Sequence, residues 1–181
     1  MMEESTSKKI LLIGLDNSGK TSIVHSLKGM KSLPKFCEIK PTKGKIIENI
    51  ALFNANFAIW DLSGQKTYRD EHIRDFQKII KECNKLIYVF DVQDVERYDL
   101  ALNYYEEIID LLKNPPVSKD IEVSLFLHKF DPDLSDMRPD ISNEVFEDLR
   151  EKIKIIIDKT DLSYQIFKTS IYCLFSKTII D

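Results

Sequence analysis

Apolar residues in this sequence alternate between short continuous runs and stripes that have the period of a helix. The runs predict strands at residues 10–13, 45–53, 56–60, 86–90, 123–127 and 164–167. The stripes predict helices at residues 21–27, 69–81, 96–113, 141–159 and 172–180. Residues 30–40 have no period and contain Pro34, so we expect a loop of the kind that is usually functional or mobile.

Strands that alternate with helices at this spacing are typical of an α/β protein with a mostly parallel sheet. We therefore predict a single domain over residues 1–181, a three-layer sandwich in which a six-stranded sheet carries helices on both faces. Only Asn54 and Ala55 separate two of the strands, which indicates an antiparallel hairpin at one edge of the sheet. Residues 1–7 are polar and are expected to be disordered.

The composition excludes several classes of protein. The chain has 181 residues, of which 43% are hydrophobic and 31% charged, as is ordinary for a soluble domain. A formal net charge of -4 argues against a nucleic-acid partner.

Three distant cysteines, Cys37, Cys83 and Cys173, are typical of isolated thiols in a reducing compartment. No apolar run approaches the about 20 residues of a membrane span. Met2 stands where myristoylation requires glycine. We expect a cytoplasmic protein without its own lipid anchor, peripheral to membranes only through a partner.

Residues 14–21 read GLDNSGKT and have the form of a phosphate-binding loop, GxxxxGK[ST], between a predicted strand and a predicted helix. The glycines let successive backbone N–H groups turn towards an anion, and the helix N-terminus adds partial positive charge. Lys20 would reach the β and γ phosphates, and the Thr21 hydroxyl would bind Mg²⁺. The alternative is a glycine-containing turn that matches by chance, which the flanking elements disfavour. The expected fold is thus a P-loop three-layer sandwich.

A second candidate site follows the strand at 123–127. Residues 128–131 read HKFD and resemble the base-binding motif of small GTPases. This resemblance implies that Asp131 offers two carboxylate oxygens to the two adjacent N–H donors of guanine, and that Lys129 lays its methylenes along the base. Adenine lacks that donor pair, so ATP would leave a buried carboxylate unsatisfied.

Taken together, five ordered motifs make the chain resemble a small GTPase of the Ras superfamily. They are residues 14–21, Pro41-Thr42, DLSGQ at 61–65, HKFD at 128–131 and TSI at 169–171. The first half, with Trp60 before Asp61, resembles the Arf and Arf-like group. The second half, with LIYVFD at 86–91 and the HKxD motif, resembles the Rag/Gtr group. The best description is a divergent member between the two groups.

The resemblance implies the following roles. Gln65 would orient the attacking water, and Lys20 and Thr42 would be the other catalytic residues. Mg²⁺ would be bound by Thr21 and Thr42, and by Asp61 through water. GTP or GDP would be bound by residues from all five motifs: Asp16, Asn17, Ser18, Gly19, Lys20, Thr21, Ser22, Thr42, Gly64, His128, Lys129, Asp131, Ser170 and Ile171.

The chain also departs from the family pattern. His128 replaces the usual asparagine, Ser63 replaces a glycine, and Asp16 adds a negative side chain beside the phosphates. Lys45 stands where Arf proteins usually have an aromatic residue that contacts effectors. No arginine lies within the phosphate-facing motifs, so we expect slow unaided turnover, on the order of 10⁻⁴ to 10⁻² per second.

The leading prediction is a GTP-hydrolysing switch. Its residues 31–81 would bind effectors, exchange factors and activating proteins, and the chain would act as a monomer or in a heterodimer. The main alternative is a scaffold or heterodimer subunit that binds guanine nucleotide with little turnover. A P-loop kinase or ATPase would leave Asp131 and the Thr42 and Asp61 pair unexplained.

Overall fold

A computed structural model describes residues 7–30, 36, 38–52, 55–113 and 121–171. The strands of this part are β1 (Lys8–Ile13), β2 (Lys45–Leu52), β3 (Ala55–Leu62), β4 (Cys83–Asp91), β5 (Glu122–His128) and β6 (Tyr164–Thr169). The α-helices are α1 (Lys20–Leu27), α2 (Lys66–Arg74), α3 (Phe76–Ile80), α4 (Tyr98–Leu112), α5 (Leu134–Met137) and α6 (Asn143–Ile157). The predicted helix at 172–180 and the predicted disorder at 1–6 lie outside the described residues.

The six strands form one sheet in the order β2-β3-β1-β4-β5-β6. Only the β2–β3 pair is antiparallel, and the other neighbours are parallel. The predicted α/β class, the mostly parallel sheet and the hairpin edge are therefore confirmed. Because parallel strands end on the same side, the segments that follow β1, β3, β4, β5 and β6 lie along one edge of the sheet.

Side chains on the two faces of the sheet enter two separate apolar clusters. In β1, Leu11 and Ile13 enter the larger cluster, and Leu12 between them enters the smaller one with Val24 of α1. The larger cluster contains the apolar faces of α4 and α6, including Tyr105 of α4, which is completely buried. Helices thus cover both faces, as expected for the three-layer sandwich, and the aromatic stripe of α4 is core packing.

The prediction of a single helix at 69–81 is wrong, because the structure has two helices in this region. The helix starts earlier, at Lys66, and is interrupted at Asp75, which has φ -98° and ψ 11°. The Asp75 carbonyl accepts hydrogen bonds from the N–H groups of Lys78 and Ile79, so a new helix begins there. The apolar stripe did not reveal the break because Ile73, before it, and Phe76, after it, contact the same core cluster.

Two element boundaries also differ from prediction. Ala55 pairs with Leu52 in the β2–β3 ladder, so Ala55 belongs to a strand and not to the turn. The helix expected from residue 96 begins as a short 3₁₀ turn, Val95–Arg97, before α4. Among the described residues, no helix has the length and hydropathy needed to cross a bilayer.

Candidate nucleotide site

The phosphate-binding loop connects β1 to α1 through backbone conformations that favour glycine. Gly14 has φ 148° and Gly19 has φ 91°. A Cβ on Gly14 would overlap the carbonyl oxygen of Val89, and one on Gly19 would lie 2.5 Å from Cδ2 of His128. Both glycines are therefore required by the backbone and by close neighbours.

Lys20 is 5% exposed, and its ammonium group is held by the loop itself. Nζ donates to the carbonyl oxygens of Gly14 (3.1 Å) and Leu15 (2.6 Å) and to Ser18 Oγ (3.3 Å). Burial lowers the pKa of Lys20 to about 8, while the carboxylates of Asp61 and Asp16 act in the opposite direction. A cation thus lies at the base of the loop, where an anion would be bound.

Three predicted metal ligands converge beside Lys20. Thr21 Oγ1 lies 2.9 Å from Thr42 Oγ1 and donates to Asp61 Oδ2 at 2.6 Å. Thr42 Oγ1 is 3.2 Å from the same carboxylate oxygen. Asp61 is 1% exposed, burial raises the pKa of its carboxyl, and its Oδ1 has no hydrogen-bond partner among the described residues.

This oxygen-only set fits Mg²⁺. The ion takes oxygen ligands and commonly completes its shell with substrate phosphates and water, so few protein ligands are needed. No cluster of three or more His, Cys, Asp or Glu side chains occurs in the described part of the chain, so an all-protein cage is not found there. The unpartnered Oδ1 of Asp61 is where a cation or its bound water would satisfy a buried acceptor.

A cleft of about 250 Å³ opens in front of this group. Predicted site residues that line it are Asp16, Asn17, Gly19, Lys20, Thr21, Ser22, Thr42, Gly64 and Gln65. Ser18 is instead buried, where it accepts from Lys20. A Cβ on Gly64 would overlap the backbone N of Asp16 and the carbonyl carbon of Leu15, so the two loops are in direct backbone contact. Ser63, one residue earlier, is buried and donates its N–H to the Gly44 carbonyl at 2.8 Å.

The base motif adjoins the phosphate-binding loop through His128. The ring packs on Gly19, and Nδ1 lies 2.9 Å from Thr169 Oγ1. Burial, together with the nearby charge of Lys129, lowers the pKa of His128, so the ring is neutral near pH 7. A neutral imidazole at the end of β5 therefore contacts both the loop after β1 and the last residue of β6.

The carboxylate of Asp131 is held by contacts from two sides. Oδ1 accepts from Ser170 Oγ, and Oδ2 accepts from Gln93 Nε2 at 2.8 Å. The neighbouring Lys129 has φ 62° and donates Nζ to Asp91 Oδ2 at 2.6 Å. Ile171, the last residue of the fifth motif, packs against the smaller core cluster.

Sequence reasoning did not identify three residues at this site: Asp91, Gln93 and Arg97. Arg97 donates from Nη1 to Asp16 Oδ1 at 3.0 Å, and the two residues are 81 positions apart. The only sequence signal for Asp91 and Gln93 is their position after a buried strand whose carboxyl end lies at this edge. Nothing in the local pattern indicates the partner of Arg97.

Comparisons with known proteins agree with this geometry. Residues 9–178 match the Gtr1/RagA G protein conserved region, and the chain therefore belongs to this family of G proteins. The predicted resemblance to both the Rag/Gtr group and the Arf-like group of the Ras superfamily is confirmed by this match and by the relatives below.

Among curated proteins, ADP-ribosylation factor-like protein 6 of Danio rerio is 34% identical over 123 residues, which is 67% of this chain and 61% of that protein. The Caenorhabditis elegans protein of the same name is 29% identical over 123 residues, 67% of this chain and 60% of that protein. The alignment thus spans about three fifths of these relatives.

A solved structure has the same fold. It is the Arl6 BBS3 small GTPase from Trypanosoma brucei with the bound nucleotide analogue GppNp, with a TM-score of 0.65 and 22% identity over 91% of this chain and 87% of that one.

Proposed function

We propose that this protein binds GTP and GDP with Mg²⁺ and hydrolyses GTP slowly, as a switch that binds partners in the GTP state. The observation that carries the proposal is the contact of the His128 ring with Gly19. Through this contact the motif that contains Asp131, whose carboxylate suits guanine, adjoins the loop that contains Lys20, whose ammonium group suits phosphate. Family membership and the GppNp-bound relative of the same fold add support.

In this proposal the phosphates occupy the cleft above Lys20. Lys20 and the inward-facing N–H groups of the loop bind the β and γ phosphates. Thr21 and Thr42, together with Asp61 through water, would hold Mg²⁺, and the ion would supply neutralisation of phosphate charge. Thr42 belongs to a loop between α1 and β2, so its contact with the metal couples that loop to the bound nucleotide.

Hydrolysis then depends on positioning. Gln65 lines the same cleft as Gly64 and Thr42, where it orients water for in-line attack on the γ phosphate. Phosphoryl transfer to water needs no covalent protein intermediate. Unaided turnover is slow because the charge that develops in the transition state is met by few cationic groups.

Partners bind through residues 31–81, a segment that contains Thr42, the residue that would contact the metal. Trp60 lies on this surface with Lys9 Nζ 3.7 Å and Lys45 Nζ 4.4 Å from its ring centroid. A surface with two ammonium groups over one indole favours partners different from those of Arf proteins, which present an aromatic residue at the position of Lys45.

Single-turnover hydrolysis of GTP by the wild type and by Gln65→Leu tests the proposal. The substitution should lower the rate about tenfold or more, the effect of losing one positioning hydrogen bond. Gln77→Leu is the matched control, because Gln77 is an exposed glutamine of α3 whose amide donates to the Leu111 carbonyl at 3.4 Å, outside the cleft. A rate indifferent to Gln65→Leu would exclude Gln65 from the chemistry and favour a nucleotide-binding scaffold.

Guanine selection is tested separately by competition of ATP and GTP for the wild-type protein. We expect GTP to displace labelled GDP and ATP to fail at 100-fold higher concentration. Equal displacement by the two nucleotides would refute the assignment of Asp131.

A further inference from the structure

The turn after β4 contacts two residues of the base motif, Lys129 and Asp131. Gln93 donates Nε2 to Asp131 Oδ2 at 2.8 Å and to the Lys129 carbonyl at 2.9 Å. Asp91, two residues earlier, accepts from Lys129 Nζ. The turn therefore supports, through three hydrogen bonds, the base motif at the end of the adjacent strand β5.

The position of Gln93 is itself fixed by hydrogen bonds. Its backbone N–H donates to Asp91 Oδ1 at 3.0 Å, and its carbonyl accepts from Arg138 Nη1 at 3.0 Å. Both N–H bonds of the side-chain amide are used, one on Asp131 and one on the backbone of Lys129. Two hydrogen bonds of the Gln93 backbone, and the bond from its side-chain amide to the Lys129 carbonyl, therefore orient the amide towards the Asp131 carboxylate.

The two oxygens of Asp131 are held by different elements. Ser170, after β6, donates to Oδ1, and Gln93, after β4, donates to Oδ2. A carboxylate held at only one oxygen can rotate about its terminal torsion, whereas one held at both oxygens keeps its plane. Each oxygen has a second lone pair, so both can still accept a hydrogen bond from a ligand.

We propose that Gln93 is a positioning residue for guanine selection: it fixes the plane of the Asp131 carboxylate so that both oxygens meet the two N–H donors of the base. This inference rests on the proposed function, since it requires a guanine nucleotide at Asp131. Without Gln93, Ser170 still fixes Oδ1 of Asp131, but Oδ2 is no longer held where it can accept a hydrogen bond from the exocyclic amine of guanine.

Binding of GDP and inosine diphosphate tests this role, because hypoxanthine lacks the exocyclic amine but keeps the adjacent N–H. Affinities of the full chain for each nucleotide are measured by displacement of a fluorescent GDP in the presence of Mg²⁺. The wild type should prefer GDP over inosine diphosphate about tenfold or more, as expected for one hydrogen bond to a charged group. In Gln93→Ala this preference should fall below about threefold, mainly through weaker GDP binding.

Gln93→Glu is the second variant, since it keeps the size and shape of the side chain and replaces the amide donor by an acceptor. Its carboxylate would face that of Asp131, so GDP affinity should fall further than in Gln93→Ala. Gln165→Ala, which removes an exposed glutamine of β6 outside residues 31–81, should keep the wild-type preference. Thermal unfolding of every variant establishes that the fold is retained.

The outcomes separate this inference from the proposed function. Wild-type protein that binds neither nucleotide would refute the proposed function itself. A wild type that prefers GDP, with Gln93→Ala and Gln93→Glu within twofold of the wild-type preference, would overturn the role of Gln93 alone. An equal loss of affinity for both nucleotides would also overturn it, because a purely structural residue gives that result.

Discussion

Arg97 holds Asp16 of the phosphate-binding loop by two contacts: Nη1 lies 3.0 Å from Asp16 Oδ1, and Nη2 lies 3.2 Å from the Asp16 carbonyl oxygen. The same guanidinium is paired with Asp94 in its own turn. Asp16 lines the cleft next to Gly64 and Gln65, where the γ phosphate belongs in the proposed function. Arg97 thus neutralises a negative side chain at the end of the cleft where negative charge is least tolerable.

Removal of the guanidinium in Arg97→Ala should weaken GTP binding relative to GDP binding. The side chains of the pair are 31% and 46% exposed, so water screens the interaction and the expected change in the affinity ratio is about three- to fivefold. Equilibrium titration with both nucleotides measures it. The double variant Asp16→Ala/Arg97→Ala should restore the ratio of Asp16→Ala, and failure to do so would show that the arginine acts in another way.

A methyl group at residue 64 should slow hydrolysis. In Gly64→Ala the new Cβ overlaps backbone atoms of Asp16 and Leu15, which cannot move aside, so the segment carrying Gln65 must shift away from the loop. We expect GTP hydrolysis to fall at least about tenfold in single-turnover assays, since small displacements of a positioning group are costly. The matched control is Gly29→Ala, where a Cβ meets no atom of the described residues within 4 Å but φ is 81°. Stability should therefore fall by about 1 kcal/mol and hydrolysis should be unchanged.

Nucleotide affinity should decrease as the pH rises through about 8. The pKa of Lys20 is lowered to about 8 by burial, so the side chain is charged below that pH and increasingly neutral above it. A bound phosphate favours the charged form and raises this pKa, so binding at pH 8.5 should take up more than about half a proton. Calorimetry of GDP binding in two buffers of different ionisation enthalpy counts the protons. A count of zero at pH 8.5, equal to that at pH 7, would contradict the lowered pKa.

Two buried tyrosines should respond in opposite ways to loss of their hydroxyl groups. Tyr105 is completely buried and its hydroxyl has no partner among the described residues, whereas the Tyr88 hydroxyl donates to the Ala101 carbonyl at 2.8 Å. Tyr105→Phe should raise the free energy of unfolding by up to about 1 kcal/mol, and Tyr88→Phe should lower it by about 1 kcal/mol. Urea denaturation of both variants at one fixed GDP concentration decides this. A destabilised Tyr105→Phe would mean that the hydroxyl has a partner.

The architecture could be predicted from the sequence because its determinants are local or periodic. Continuous apolar runs marked the strands, and the motifs at 14–21 and 128–131 each followed one of them. In a parallel sheet, that placement alone brings the motifs to one edge. The roles assigned to the individual motif residues remain predictions that the proposed experiments address.

Contacts between distant side chains could not be predicted in this way. The pairs of Arg97 with Asp16 and of Gln93 with Asp131 join positions that have no common period, and each depends on the neighbouring order of β1, β4 and β5. The break at Asp75 was missed for a related reason. Apolar periodicity reports which residues face the core, and an interruption that keeps the same residues inward leaves that signal intact.

The ammonium group of Lys20 uses all three of its hydrogens on Gly14, Leu15 and Ser18 of its own loop. The lysine therefore cross-links its own loop and stabilises the curvature of the loop. An arriving phosphate exchanges one of these internal bonds for a stronger, fully ionic one. The affinity for phosphate is therefore a difference between two sets of hydrogen bonds to the same ammonium group, since the bond given up within the loop offsets part of the bond that is gained.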